Sequence, residues 1–321
     1  MHGLRGITRQ VLVLAVPVLL LAACQSKGGG STAVVVPATV ATLAGLTNAT
    51  PLTATRSGGF ESATFNNTLT TFSNDIAVSN AFLTYYSNGS IALSAPNIPV
   101  NGTNDTVTFS LFNAATSPLA PPGSTIATGT SAANVIVQLN RFGASQGLQY
   151  SEYGSWVSPA CGACTATNTG YFAIGNATPT AQIPTTGSLT YTGNAQGLAT
   201  IGTAGSASIA AFSGLTSLTA NFATNAVTGS ISSVRTSALN GTTLTGTMND
   251  ILLTGGTISG NSILNGVATA GVNAGTGINI TGVKGTFGGG FYGPSAAEIA
   301  GTFNLNTPAT IQVIGSFGTH R

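Results

Sequence analysis

Cysteine, histidine and carboxylate, the side chains that most often carry redox, metal or acid–base chemistry, are scarce in this 321-residue sequence, at three, two and six copies. Cys161 and Cys164 in "SPACGACTAT" have C-x-x-C spacing, which serves a disulfide, a redox pair or half of a zinc site. Zinc takes four ligands, and the two histidines, His2 and His320, stand at opposite extremes of the chain, so no metal site is predicted. A thioredoxin-type pair needs a strand-to-helix context, and the surrounding sequence offers no helix start. The spacing predicts a small disulfide loop in an exported protein. Over so short a span such a bond shapes a loop more than it restricts the unfolded chain.

Other chemistries find less support. A Ser/His/Asp triad needs an imidazole base, and no G-x-S-x-G elbow is present. The carboxylates Glu61, Asp75, Asp105, Glu152, Asp250 and Glu298 are scattered rather than paired. No enzymatic activity is expected. Haem ligation would draw on His320, Met248, Tyr85 or Tyr86, none with an evident second ligand close in sequence; no cofactor is predicted, and haem is the one left open. Trp156, the single tryptophan, reads either as a core or seam residue or as an anchor for a protein partner, where Trp is enriched.

The third cysteine belongs to a different device. Arg5 and Arg9 precede the apolar run "VLVLAVPVLLLAA" from Val11 to Ala23, and Cys24 follows at once, in the order of an export signal. The run is short for a membrane span. "LAAC" at 21–24 has the form of a bacterial lipobox, which predicts a signal peptide over 1–23, lipid on Cys24 and attachment to a membrane through the acyl chains. Gln25 after the cysteine follows the pattern of lipoproteins sent to the outer membrane. Residues 24–45, rich in Gly, Ser, Thr and Ala, read as a flexible tether.

Charge is the outlying property of the composition. Asp, Glu, Lys and Arg make up 4% of the chain, against roughly 25% in ordinary soluble domains. Removing Arg5 and Arg9 from the eight basic residues leaves six against six acids, a net charge of zero. Nucleic-acid binding needs clustered Lys and Arg, so no nucleic-acid partner is predicted. Hydrophobic residues at 42% exclude the composition of disordered chains.

The elements that must position these residues are β-strands. Short alternating runs bounded by Gly, Asn and Pro fill the mature sequence, and the last of them predict one buried face made of Val283, Gly285, Phe287, Gly289 and Phe291, then Ile299, Gly301, Phe303 and Leu305, then Ile311, Val313, Gly315 and Phe317. Glycine interleaved with phenylalanine on one face suits a tightly curved sheet. The breaker-rich "GASQG" at 143–147 marks the expected boundary, with the strands "LQYSEYGSWV" and "TGYFAIG" opening a C-terminal barrel. A transmembrane barrel is disfavoured by the lack of aromatic girdles, and a β-helix by the lack of a fixed repeat.

Four stretches in order, "YGSW" at 153–156, "FAIGNATPTAQIPTTGSLTYTGNAQG" at 172–197, "ANFAT" with "VTGSIS" over 220–232, and "GGGFYGPSAAEIAGTFNL" at 288–305, resemble the barrel lobe of the transferrin-binding protein B-like surface lipoproteins. The resemblance implies an all-β chain, with an eight-stranded antiparallel barrel over 146–321 preceded by a smaller β-rich handle over 46–145. It marks Phe291, Tyr292, Gly293, Pro294, Glu298, Gly301 and Phe303 as the barrel signature. It further implies display on the bacterial surface with an outer-membrane translocator or receptor as partner, and capture of a protein or an iron- or haem-related ligand through handle loops. The chain has room for one handle–barrel lobe, and no residue maps onto known ligand contacts. A structural or adhesive coat lipoprotein without a soluble ligand is the alternative. Within the signature, Gly290–Tyr292 are expected to end a strand, Pro294 to start a tight turn, and Glu298 to open the next strand, its carboxylate accepting turn amides or pairing with Lys284.

Overall fold

The computed structural model describes residues 39–43, 59–66, 69–73, 82–85, 91–95, 105–109, 125–130, 136–159, 167–202, 208–238, 246–308 and 310–321. Strands dominate. The first sheet contains β1 (Gly59–Asn66), β2 (Leu69–Ser73), β3 (Phe82–Tyr85), β4 (Ile91–Ala95), β5 (Asp105–Phe109), β6 (Thr125–Thr130), β7 (Ile136–Phe142), β8 (Ser151–Pro159) and β9 (Thr167–Gly175). The second contains β10 (Ser188–Ile201), β11 (Ser208–Asn221), β12 (Ala226–Ala238), β13 (Gly246–Thr247), β14 (Ile251–Ser259), β15 (Ser262–Ala270), β16 (Lys284–Tyr292), β17 (Glu298–Thr307) and β18 (Ile311–His320).

The second sheet runs β11-β10-β18-β17-β16-β15-β14-β12-β13, and β11 also pairs with β12. That extra pairing closes eight antiparallel strands into a barrel, as the resemblance implies, with the two-residue β13 added on β12. Closure removes the free edges that an open sheet of this size would present. The predicted inward face is the observed one: Val283, Phe287, Phe291, Ile299, Phe303, Leu305, Val313 and Phe317 join a single buried cluster, with Ile311 packed against it.

Glycine makes room for the rings. In the ladder Phe303 stands opposite Gly315, and Gly301 opposite Phe317. A Cβ on Gly301 would lie 2.6 Å from Phe317 Cζ, and one on Gly315 would lie 2.5 Å from Phe303 Cζ. Each ring therefore occupies the volume its cross-strand partner leaves out, and the lumen is packed with side chains. Each fully buried Phe contributes about 1.5–3 kcal/mol relative to leaving it in water.

The first sheet runs β2-β1-β9-β8-β7-β6-β5-β4-β3, all antiparallel. Here the structure departs from the sequence reading. The two runs expected to open the barrel form β8 and β9, and they pair with β7 and β1 in the first sheet, with Phe142 opposite Tyr153 and Phe60 opposite Phe172. "GASQG" is no linker but a 3-10 turn, Ala144–Gln146, with Gly147 at φ 80°, reversing the chain between β7 and β8. The crossing between the sheets falls instead at 176–187, between β9 and β10.

β8 and β9 lie against the outside of the barrel. Phe142, Leu148, Tyr153 and Ala173 from the first sheet and its turns pack with Tyr292 and Ala300 of the barrel, and Tyr171 packs with Leu198 and Ile314. Ser316 Oγ on β18 donates to Gly154 O on β8 at 3.0 Å. As a result β17 and β18 are buried on both faces, including the outward polar residues Thr302, Asn304, Gln312 and Ser316.

Candidate functional site

The barrel signature builds the joint between the two sheets. Phe291 and Tyr292 are adjacent in a strand and so point to opposite faces. Phe291 enters the lumen, its ring 5.6 Å from Phe222 and 6.3 Å from Tyr191; Tyr292 faces outward into the cluster with Phe142 and Tyr153. The turn that follows contains three residues with positive φ, Gly293 at 75°, Ser295 at 52° and Ala296 at 57°. Side chains costly to hold in that region persist where surroundings over-determine them, and here they do. Thr178 Oγ1 donates to Gly293 O at 2.6 Å, Tyr191 OH donates to Ala296 O at 2.8 Å, and Gly293 N donates to Asn176 O at 2.9 Å. Burial pushes the Tyr191 phenol up to about 12, with nearby Arg321 pulling the other way, so its donor proton stays in place. Tyr150 lies over Gly293, where a Cβ would approach Cδ2 to 2.5 Å.

Glu298 finishes the joint. It is 3% exposed, and its carboxylate accepts from Gln149 N at 2.5 Å, Tyr150 N at 3.1 Å and Ser151 Oγ at 2.7 Å. Amides do hold it, but they belong to the start of β8, not to the turn. Pairing with Lys284 does not occur: Lys284 stands opposite Asn306 at the far end of β16, whereas Glu298 stands opposite Tyr292 and His320. Burial raises the Glu298 carboxyl above the ordinary glutamate value, opposed by hydrogen bonds from Gln149, Ser151 and Tyr150. A second buried carboxylate, Glu152, is held by Arg141 at 2.9 Å. Sequence reasoning missed this pair and the Ser151 contact, because both depend on strand register.

The other candidates are dispersed. Trp156 is fully buried, in the first sheet rather than in the barrel. Met248 lies in the lumen cluster by the β13 end of the barrel, whereas His320 lies at the other end, opposite Thr192 and Glu298; the structure does not bring these two haem candidates together. Tyr85 ends β3. Tyr86, Cys24, Cys161 and Cys164 lie outside the described residues; Pro159 pairs with Thr167, so both C-x-x-C cysteines belong to the connection between β8 and β9.

Two solvent-facing features remain. A recess of about 550 Å³ at one end of the barrel is lined by Ser233, Arg235, Thr247, Asp250, Asn273 and Thr276. Much of its polar wall is engaged in holding the connection after β15. Thr247 N donates to Thr276 Oγ1 and Thr276 N to Thr247 Oγ1, while Asp250 N donates to Asn273 Oδ1. The second feature is an end of the first sheet. The hairpin closures Asn66–Leu69, Ala95–Asp105, Thr130–Ile136 and Pro159–Thr167 fall at one end of the ladder, opposite the end at which Ser151 meets Glu298. Connections between strands that rise from one rim of a rigid sheet are a common place for recognition.

Residues 183–321 match the family described as C-lobe and N-lobe β-barrels of Tf-binding protein B. No curated protein sequence matches the chain. Among solved structures, similarity extends to a transferrin-binding protein B double mutant from Haemophilus parasuis Hp5, at 16% identity over 82% of this chain and 44% of that one, with a TM-score of 0.46. Isotype 1 transferrin-binding protein B from serogroup B Neisseria meningitidis is 18% identical over 82% and 43% of the two chains, TM-score 0.37. The N-lobe domain of lactoferrin-binding protein B from Moraxella bovis is 16% identical over 56% and 79%, TM-score 0.33. The chain spans less than half the length of both transferrin-binding protein B chains. Residues 183–321 are therefore similar to the transferrin-binding protein B lobe barrels, and the chain is transferrin-binding protein B-like, with a single such barrel among its described residues.

Proposed function

We propose that this protein is a lipid-anchored bacterial surface protein that captures a protein, or an iron- or haem-related ligand, for nutrient uptake. The observation that carries the reading is the division of labour in the fold. The barrel lumen is filled by its own side chains, and the signature residues are used up in the lumen and the joint, while the first sheet gathers four hairpin closures at the end remote from that joint. The barrel is the platform and that rim is the reader. Names of the matched relatives specify transferrin- or lactoferrin-binding proteins, which supports a protein ligand as the first class to test.

The anchor, the outer-membrane location and a translocator or receptor as partner are part of the same proposal and rest on "LAAC" at 21–24 and Gln25. Immobilised full-length protein is expected to retain a defined protein from serum, and its absorption spectrum reports any haem carried with it. Failure to retain protein, haem or metal from serum and growth medium overturns the capture reading in favour of a structural or adhesive coat protein. Cys24→Ser is expected to shift the product from the detergent phase to the aqueous phase, or to leave the precursor uncleaved. Unchanged detergent partitioning rules out the lipid anchor.

A further inference from the structure

Two carboxylates are buried near the joint, and they are accommodated differently. Glu152 has the guanidinium of Arg141 at 2.9 Å. Glu298 has no cation within ion-pair distance among the described residues; its partners are the Gln149 and Tyr150 amides and the Ser151 hydroxyl, all neutral and all within three consecutive residues. A carboxylate removed from water without a counter-charge favours its protonated form.

The geometry has a place for that proton. An amide can only donate, but a hydroxyl can donate or accept. With Glu298 ionised, Ser151 Oγ donates to Oε2 at 2.7 Å. With a proton on Oε2, the same hydroxyl accepts, and Oε1 continues to take the Gln149 and Tyr150 amides at 2.5 and 3.2 Å. Protonation weakens only the second contact of Tyr150 N, to Oε2 at 3.1 Å, keeps the others and removes the uncompensated charge. We infer that Glu298 is a proton-operated clasp between the barrel and the start of β8, one that holds more tightly in mild acid than at neutral pH.

The sign follows from linkage. A docked carboxyl that binds its proton more readily than the same group exposed to water stabilises the docked state fully below the exposed-state pKa. That contribution fades as pH rises through the docked pKa. The groups around it are His320 opposite on β18, Tyr292 opposite on β16, Tyr150 on the clasped segment, Tyr153 and the Arg141–Glu152 pair from the first sheet, Tyr191 below the turn, and Arg321, whose amide donates to Ala297 O. Burial raises the Tyr153 and Tyr191 phenols, which keeps them neutral throughout. His320 is the group to control for.

The test uses the full chain carrying His320→Asn. Hydrogen exchange over residues 149–151, corrected for the intrinsic pH dependence of exchange, is followed from neutral to mildly acidic pH, with and without Glu298→Gln. The glutamine side chain keeps an acceptor for the amides and offers its NH₂ to Ser151. Protection is expected to rise severalfold in acid when Glu298 is present and to stay flat in the Glu298→Gln chain. Constant or falling protection in acid, or an equal rise in the Glu298→Gln chain, overturns the clasp. Should Glu298→Gln fail to fold, carbon-13 titration of the Glu298 carboxyl in the parent decides: a midpoint above the usual glutamate range supports it, one at or below that range overturns it.

Discussion

At the scale of single residues, two buried arrangements set the sharpest expectations. In the lumen, Gly301 leaves the space that the Phe317 ring fills. Gly301→Val puts methyl groups into that volume with no room to relax, since overpacking a close-packed interior forces side chains from their rotamers. We expect a loss of about 1–3 kcal/mol, measured by chemical denaturation. A stability equal to the parent's contradicts the packing described. Under the first sheet, Arg141→Ala leaves the Glu152 carboxylate, 3% exposed, without its counter-charge. Stranding a buried charge costs about 3 kcal/mol or more, and Arg141→Ala combined with Glu152→Gln is expected to recover a large part of it. A double substitution no better than the single one shows that the pair does not act as a unit.

At the scale of elements, the turn 293–297 is the piece on which others depend. Gly293→Ala imposes a Cβ on a residue at φ 75° and drives it into the Tyr150 ring, and is expected to cost about 1 kcal/mol or more. The loss should appear first as faster proteolysis or exchange around 149–151 rather than as melting of the lumen; loss of the whole barrel together would show that joint and barrel are one cooperative unit. This element also shows what sequence can carry. The Phe291–Tyr292 step, the turn at Pro294 and the strand from Glu298 are visible because a strand alternates and a turn interrupts it. The inward rows of β16, β17 and β18 are visible for the same reason. The allegiance of β8 and β9 is not, because both faces are buried: Tyr153, Tyr171 and Ala173 beside Glu152, Trp156, Phe172 and Ile174. With no polar face, the pattern names a strand but not its sheet. The partners of Glu298 lie 147 to 149 positions away in the chain, a register fact with no local trace. "GASQG" misleads for a related reason: two glycines mark a reversal equally well inside a sheet and between domains.

At the scale of the whole molecule, the shortage of charge governs how it meets a partner. With a net charge of zero once the segment carrying Arg5 and Arg9 is removed, long-range steering contributes little, and screening has little to screen. Retention of a protein ligand is expected to change less than tenfold between low and high salt, measured by surface binding at several ionic strengths; a steep salt dependence would mean that a charged patch outside the described residues does the recognition. The strand order has a further bearing on how the molecule is made. β18 pairs with both β17 and β10, while β1 pairs with β9 across a long stretch of chain. Neither sheet can be completed in the order of synthesis, since its early strands wait for late ones, and closing such long loops slows folding. β18 also supplies part of the floor on which β8 rests. A product cut short before β18 therefore has an open barrel with unpaired edges and no seat for the first sheet. The fold in this way makes a finished chain a precondition for a closed barrel, and an unfinished one exposes the unpaired edges that proteases recognise.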